Sequence, residues 1–532
     1  MDAIEQAELV KNLRINLGNK TSAGQLELFE THISYVLLAG EFAYKIKKPV
    51  TLGFLDFSQL QQREFFCREE LRLNRRYAPE LYLDVVPISG TAHQPQIEMP
   101  DTPIEYAVKM PRFPQEYLAH NLIREQKLGT EHAVLIAQKL AAIHRAAPHE
   151  KLGPECRSAK LVWQQISDTL RGIASLVDKQ CDKSNLDQLF EWCRRECSAK
   201  SQHIDRRAID GFVRECHGDL HLANIVILNG DAAFFDCIEF SDVLRCIDVI
   251  NDMAFIAMDL CAHQRSDLCY LFINVYLELT GDYEGVLALR LYIVHRALIR
   301  HYVTLLRQQK AEKSADSSDA EPNYIDVAFA WAQPTQPFLV LMHGLSGSGK
   351  TSVAGELMQL LPALRVRSDV ERKRLNHPVP GNKNAFRSGL YSADNTEATY
   401  RRLVGLAHSL LLAGFNVVVD ACSLQFHQRQ LFRVLGRTCG APFAIFDVEA
   451  SKMLMQERIR KRAQAGADAS DADILVLEQQ IHTQDPFTPK ERASVVCYES
   501  KNFLPIDTEN PAYKRLLQQL ASMPSRTEST RP

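Results

Sequence analysis

Apolar and polar positions change rhythm along the chain. Short strand-like runs come first (ISYVLLAGEFAYKIKKPV, LYLDVVPI, IEYAVKM), and the stretch after about Glu131 is mostly helical in period. Strands followed by helices predict an α+β, bilobal domain with a sheet lobe and a helical lobe. Two further apolar runs, IVIL and AAFFDCIEF, are split by Asn229-Gly230-Asp231, which predicts a hairpin inside the helical half. The texture then breaks at QQKAEKSADSSDAEPN, a charged stretch with no aromatic or β-branched residue to bury. Beyond it, apolar runs alternate with helical windows: PFLVLMHG, a helix from Lys350, LRVRSD, a helix through Arg374, a long helix from Thr399 to Leu412, NVVVDA, and PFAIFDV as the last strand. Runs apolar on both faces predict an α/β domain with a mainly parallel sheet covered by helices. The expected spans are residues 1–307, a linker at 308–323, a second domain at 324–522 and a disordered tail at 523–532.

Composition narrows the class. The chain has 532 residues, 46% hydrophobic and 24% charged, which is ordinary folded protein and too long for a single core. Lys+Arg 62 against Asp+Glu 65 leaves a net charge of -3, so no global positive field draws it to nucleic acid or an anionic membrane. Its 13 cysteines are odd in number and scattered, with no C-x-x-C pair, which points to free thiols in a reducing compartment. The start carries acids within an interrupted apolar pattern, and no uncharged apolar run reaches about 18 residues. The expectation is a cytoplasmic protein with no membrane association.

The sharpest chemical signal is Gly344-Leu345-Ser346-Gly347-Ser348-Gly349-Lys350-Thr351-Ser352, which fits G-x-x-x-x-G-K-[ST] between a strand and a helix. Its glycines let backbone N–H groups curl around phosphate oxygens, Lys350 reaches the terminal phosphates, and the Thr351 hydroxyl can hold Mg²⁺. Asp369 closes the run LRVRSD, where a carboxylate can accept the proton of an attacking hydroxyl, or simply cap a helix. Asp420 closes NVVVD, from which a carboxylate supports Mg²⁺ or, again, caps a helix. Arg458 and Arg462 are four apart after the last expected strand and present two planar donors on one helix face. This region, about Phe338 to Phe503, resembles small P-loop kinases of the zeta-toxin and gluconate-kinase kind, with a further likeness to polynucleotide kinases. The residues that carry it are GLSGSGKT, RSDVERKRL, VVVDACSLQFHQR, ERIRKRAQ and SDADILVLEQQ. The resemblance implies that Asp369 is the base, Arg372 a substrate-side contact, and Arg458 and Arg462 lid arginines.

A second constellation lies in CHGDLHLAN. Asp219 and Asn224 are five apart, the interval of H-R-D-x-x-x-x-N, and Asp236 follows on the return strand of the hairpin. His217 and His221 would suit a metal only on a helix, which Gly218 and the following strand oppose. Ala43-Tyr44-Lys45 echoes the A-x-K of the kinase nucleotide strand, and Lys47 points the same way, so either lysine can serve the phosphates. On a helix expected from about Ser58 to Arg76, Glu70 falls on the apolar face and is the first choice of partner, with Glu64 and Glu69 behind it. From about Leu28 to Leu306 the chain resembles the aminoglycoside phosphotransferase family, whose fold is that of protein kinases. HGDLHLAN, with IEF after Asp236, is the most telling stretch. The resemblance implies that Asp219 is the base, that Asn224 and Asp236 bind Mg²⁺, and that Tyr106 to Met110 lie along the adenine. It departs in having no G-x-G-x-x-G before Lys45.

Together the likenesses match a bacterial fusion of an aminoglycoside-phosphotransferase-like domain and an AAA-type kinase. The expectation is an ATP- and Mg²⁺-dependent phosphotransferase with two nucleotide sites that moves the γ-phosphate to a hydroxyl of a small molecule. Two alternatives stand beside it. One is a regulatory ATPase with a ligand-sensing, pseudokinase-like first domain, and the other is a nucleic-acid 5′-hydroxyl kinase. The acceptor and the oligomeric state are not legible.

Overall fold

The strand Phe42–Lys47 sends Tyr44 and Ile46 to one face of its sheet and Lys45 and Lys47 to the other. That alternation organises the first half of the computed structural model, which describes residues 1–18, 26–52, 55–99, 101–149, 158–177, 180–311, 322–376, 392–465, 472–500 and 506–522. Most of the expected linker and all of the expected tail lie outside the described residues. The sheet is antiparallel in the order Leu26–Glu30, Ser34–Ala39, Phe42–Lys47, Pro103–Pro111, Asp84–Gly90, Pro95–Ile97. On one face Leu9, Val10 and Leu13 of the helix Ala3–Gly18 pack on Leu37, Tyr44, Ile46 and Ile88. On the other, the helix Leu60–Asn74 places Cys67 against Val85 and Val108. The apolar pattern did not announce the helix Ala3–Gly18 or the strand Leu26–Glu30. That strand is an edge with no buried residue, and the exposed Phe29 breaks its short Leu-Glu-Leu alternation.

The helical lobe carries the hairpin where Asn229-Gly230 predicts it. Ile225–Leu228 pairs with Asp231–Phe234, and Asn229 and Gly230 have φ of 52° and 77°, as a two-residue turn between twisted strands requires.

The second sheet has five strands, all parallel, in the order Ala363–Arg367, Asn416–Asp420, Leu339–His343, Phe443–Glu449, Val495–Glu499. All five residues of Leu339–His343 are buried, as expected of a strand covered on both faces. Val353 and Leu357 of the helix Lys350–Leu360, with Leu516 of the helix Pro511–Ala521, cover one face. The run PFAIFDV is not the last strand. Val495–Glu499 follows it at the sheet edge with only Val496 buried, so its apolar run VVCY does not mark a strand covered on both faces.

The chain packs as two units, Met1–His263 with Leu291–Ala328, and Gln264–Arg290 with Phe329–Pro532. This differs from a single cut near residue 308, because the helix Ser266–Thr280 serves the second sheet. Its Asn274 side chain donates to Ala363 O at 2.9 Å and accepts from Arg365 N at 2.6 Å. The amide thus takes the two backbone groups that a further strand would take. Asn274→Ala is expected to leave both buried groups unpaired and cost roughly 2 kcal/mol or more locally. Hydrogen exchange in the strand 363–367 should then speed up by about 30-fold. No described helix is long and apolar enough to cross a membrane, and no disulfide joins the described cysteines.

Candidate active sites

In the first unit, the loop before the hairpin is held from beneath. Asp252, in the first turn of the helix Val249–Ala262, accepts from His217 N at 3.1 Å, Gly218 N at 2.9 Å and His144 Nε2 at 3.1 Å. Gly218 has φ of 87°, and a Cβ there would stand 2.8 Å from Leu244 O, so only glycine fits. Asp219 follows with its side chain 39% exposed, and His221 Nε2 is 3.5 Å from its Oδ2. Burial raises the Asp219 carboxyl, but His221, Arg300 and His217 outweigh it and hold the group well below the usual carboxylate range. Asn224 donates from Nδ2 to Asp219 O at 2.9 Å, which ties the two ends of the loop together. His217 Nε2 bonds Phe235 O at 2.9 Å and His221 faces Asp219, so the two histidines serve the loop.

Asp236 leaves the hairpin with φ of 64°, a left-handed conformation fixed by its N–H donating to Tyr82 Oη at 3.0 Å and by Cys237 N donating to Asn74 Oδ1 at 2.9 Å. The turn delivers the Asp236 carboxylate to Lys45, with which it forms an ion pair. Lys45 also donates to Glu70 at 2.8 Å. Lys47 is fully buried, donates to the other Glu70 oxygen at 2.7 Å, and pairs with Glu239. Of the two lysines, Lys45 is thus the one beside Asp236. Burial opposes ionisation of Glu70, but Lys45 and Lys47 overcome it and lower its pKa, whereas Glu239 stays raised by burial. Glu64 and Glu69 turn instead to Arg68 and Arg72, each at 2.8 Å. Met110 sits opposite Ala43 on the strand Pro103–Pro111 and packs with Tyr106 near Val108. Where a glycine-rich flap would lie, Glu30 pairs directly with Tyr35 across a short turn in which Thr31 Oγ1 accepts from Ser34 N at 2.9 Å.

In the second unit, the strand Leu339–His343 runs into Gly344, Gly347 and Gly349, with φ of 136°, 81° and 100°. A Cβ at Gly344 would meet Val448 O at 2.4 Å and one at Gly347 would meet Met455 O at 2.6 Å. The loop is thus built for backbone alone. Ser348 Oγ is buried with no hydrogen-bond partner among the described residues, a donor suited to a phosphate oxygen. Lys350 Nζ donates to Leu345 O at 2.8 Å, and Thr351 Oγ1 lies 3.4 Å from Asp420 Oδ1. Burial raises the Asp420 carboxyl against the pull of Arg365, Arg367 and Lys350. The loop opens on a cavity of about 580 Å³ lined by Lys350, Ser352, Asp369, Arg372, Asp420 and Arg462 among others. Asp369 does not close the strand, which stops at Arg367. It lies in the first turn of the helix Ser368–Leu375 and accepts from Arg372 Nη1 at 2.9 Å. Arg458, on the helix Lys452–Ala465, donates to Ser348 O at 2.8 Å and to Ser500 Oγ at 3.1 Å, and Arg462 donates to Ala472 O at 2.6 Å. The orphaned hydroxyl and the hydroxyl–carboxylate pair fit a nucleotide phosphate with a divalent cation.

Reading the residues missed Glu239, which lies in the quoted IEF, and Arg365 and Arg367, whose spacing of two puts them on one face of a strand. It also missed Asn74 and Tyr82, for which no signal exists short of the fold.

Residues 65–289 match the phosphotransferase enzyme family and residues 339–487 match an AAA domain family. The uncharacterized protein Rv2004c of Mycobacterium tuberculosis is 29% identical over 484 residues, covering 89% of this chain and 95% of that one. A gluconokinase from Sinorhizobium meliloti is 20% identical over 35% of this chain and 91% of its own, with a TM-score of 0.25. A choline/ethanolamine kinase family protein from Mesorhizobium loti is 12% identical over 61% of this chain and 92% of its own, with a TM-score of 0.37. The chain therefore carries a protein-kinase-like domain of the phosphotransferase enzyme family followed by a P-loop domain of the AAA family.

Proposed function

We propose that the chain is an ATP- and Mg²⁺-dependent phosphotransferase with two nucleotide sites, each passing a γ-phosphate to a hydroxyl of a small molecule. The observation that supports this reading is that Lys45 pairs with both Glu70 and Asp236, while Asn224 takes the N–H of Phe235, just before Asp236, on its carbonyl at 3.0 Å and donates from its side chain to Asp219 O. In that site Lys45, steadied by Glu70, binds nucleotide phosphates, and Met110 lines the base. Asp219 is ionised at neutral pH and partly exposed, so it can orient an acceptor hydroxyl and take its proton. Asn224 and Asp236 would hold Mg²⁺ there, and Thr351 with Asp420 in the P-loop site. The cation, when bound, neutralises charge on the phosphates. In the P-loop site Lys350 and the loop amides hold the phosphates, Arg458 and Arg462 brace them, and Asp369 stands as the acceptor-side base with Arg372 beside it.

The test is untargeted mass spectrometry of a bacterial metabolite extract incubated with the full chain, ATP and Mg²⁺, beside Asp219→Ala and Asp369→Ala variants. A new phosphorylated species that one variant loses is the expected result, and it names both the acceptor and the working unit. ATP consumption with no new species overturns transfer. It would favour a regulatory ATPase, a reading supported by the flapless turn at Thr31.

A further inference from the structure

The helix Ser266–Thr280 lies within the stretch that matches the phosphotransferase family, yet it packs in the second unit. Its Glu278 meets two arginines of the strand Ala363–Arg367. Oε1 accepts from Arg365 Nε at 3.0 Å and Nη2 at 2.7 Å, and Oε2 accepts from Arg367 Nη1 at 3.2 Å. Arg367 is the register neighbour of Asp420, and its Nε stands 3.7 Å from Asp420 Oδ2. The guanidinium is therefore held between two carboxylates, within hydrogen-bond reach of Glu278 and only within ion-pair range of Asp420. Asp420 Oδ2 is buried and makes no hydrogen bond among the described residues, while Oδ1 faces Thr351. A carboxylate that took the guanidinium fully would have this oxygen occupied and its charge neutralised, and would support a divalent cation poorly.

Glu278 is well placed to prevent that. Its helix is anchored to the strand by the Asn274 amide, and its own carbonyl accepts from Arg374 Nη2 at 2.7 Å. Just beyond the helix, Tyr283 Oη donates to Arg365 O at 3.5 Å. With its backbone fixed on both sides, the carboxylate is set where the two guanidinium groups need it.

We propose that Glu278 is a positioning residue of the P-loop site. By holding Arg365 and Arg367 it keeps Arg367 off Asp420 and leaves that carboxylate open to a divalent cation. A residue from the phosphotransferase-family stretch thereby sets the cation response of the P-loop. The inference rests on the reading of the P-loop cavity as a nucleotide site.

The experiment is binding of a fluorescent N-methylanthraniloyl ATP to the full chain as Mg²⁺ is titrated. The P-loop signal is defined as the part that Lys350→Ala removes. Glu278→Gln is expected to raise the half-saturating Mg²⁺ concentration about tenfold, the low end of what a full contact with an opposite charge does to a carboxylate. The double variant Glu278→Gln/Arg367→Gln should return it to near the parent value, which a merely structural role for Glu278 would not do. An unchanged half-saturation in Glu278→Gln, or a double variant that restores nothing, overturns the proposal while the Lys350-dependent signal stands. If Lys350→Ala removes no signal, it is the nucleotide-site reading that fails. Should Glu278→Gln not fold, Arg367→Gln alone decides. It is expected to hold or lower the half-saturation, and a tenfold rise refutes the idea.

Discussion

Asp219→Ala should lower phosphoryl transfer by the first unit roughly 10²–10⁴-fold, the usual contribution of a positioned base. It should do so without loosening the fold. The bond that ties the loop together runs from Asn224 to the main-chain oxygen of Asp219, and Gly218 and His217 hang on Asp252, so truncating the carboxylate removes only its contact with His221. Nucleotide binding should also persist, because Lys45, Glu70 and Asp236 are untouched. The check is a single-turnover assay on the acceptor identified by mass spectrometry, beside equilibrium nucleotide binding and a melting curve. Transfer at the parent rate with binding intact would remove Asp219 from the chemistry. Loss of both binding and melting temperature would make it structural.

Lys350→Ala should cut transfer by the P-loop unit roughly 10²–10³-fold, the cost of deleting one preorganised charge stabiliser. Binding should weaken with it. Lys350 is nearly buried at the first position of its helix, and its ammonium already lies over the loop with Leu345 O as partner. A phosphate drawn there exchanges one acceptor for another without a change of backbone. The loop amides and the buried Ser348 hydroxyl remain in the variant, so a residual affinity is expected instead of none. Product from the first unit should be unchanged, and isotope transfer from labelled ATP to separate acceptors distinguishes the two. A variant that keeps full P-loop product would refute the role.

What the sequence made legible is what local chemistry dictates. The phosphate loop, the Asn-Gly turn and the Asp219/Asn224 interval are short-range patterns, and each appears where its spacing puts it. Lys45 and Lys47 could not be separated from the chain alone, since period two gives them the same face. The distinction lies in which lysine Asp236 reaches, and that depends on a left-handed turn nearly two hundred residues away. Edge strands such as Leu26–Glu30 and Val495–Glu499 escaped because they bury little, no residue in the first and only Val496 in the second, so neither carries the buried face that reveals a strand. Asp369 was placed one element too early, because a strand that runs straight into a helix leaves no turn residue at the boundary.

The segment Gln264–Arg290 bears on how the chain is made. A ribosome releases it before the strand Ala363–Arg367 that its Asn274 covers, and before Leu291 onward, which completes the first unit. At roughly 5–20 residues per second, the helix waits on the order of ten seconds for its partner. During that interval Asn274 and Glu278 lack the strand groups they hold in the finished protein, and the helix carries Leu268, Phe272 and Leu277, all of which end up buried. The nascent chain at that stage should be a client for holding chaperones. The two units are interleaved in synthesis even though each has its own core.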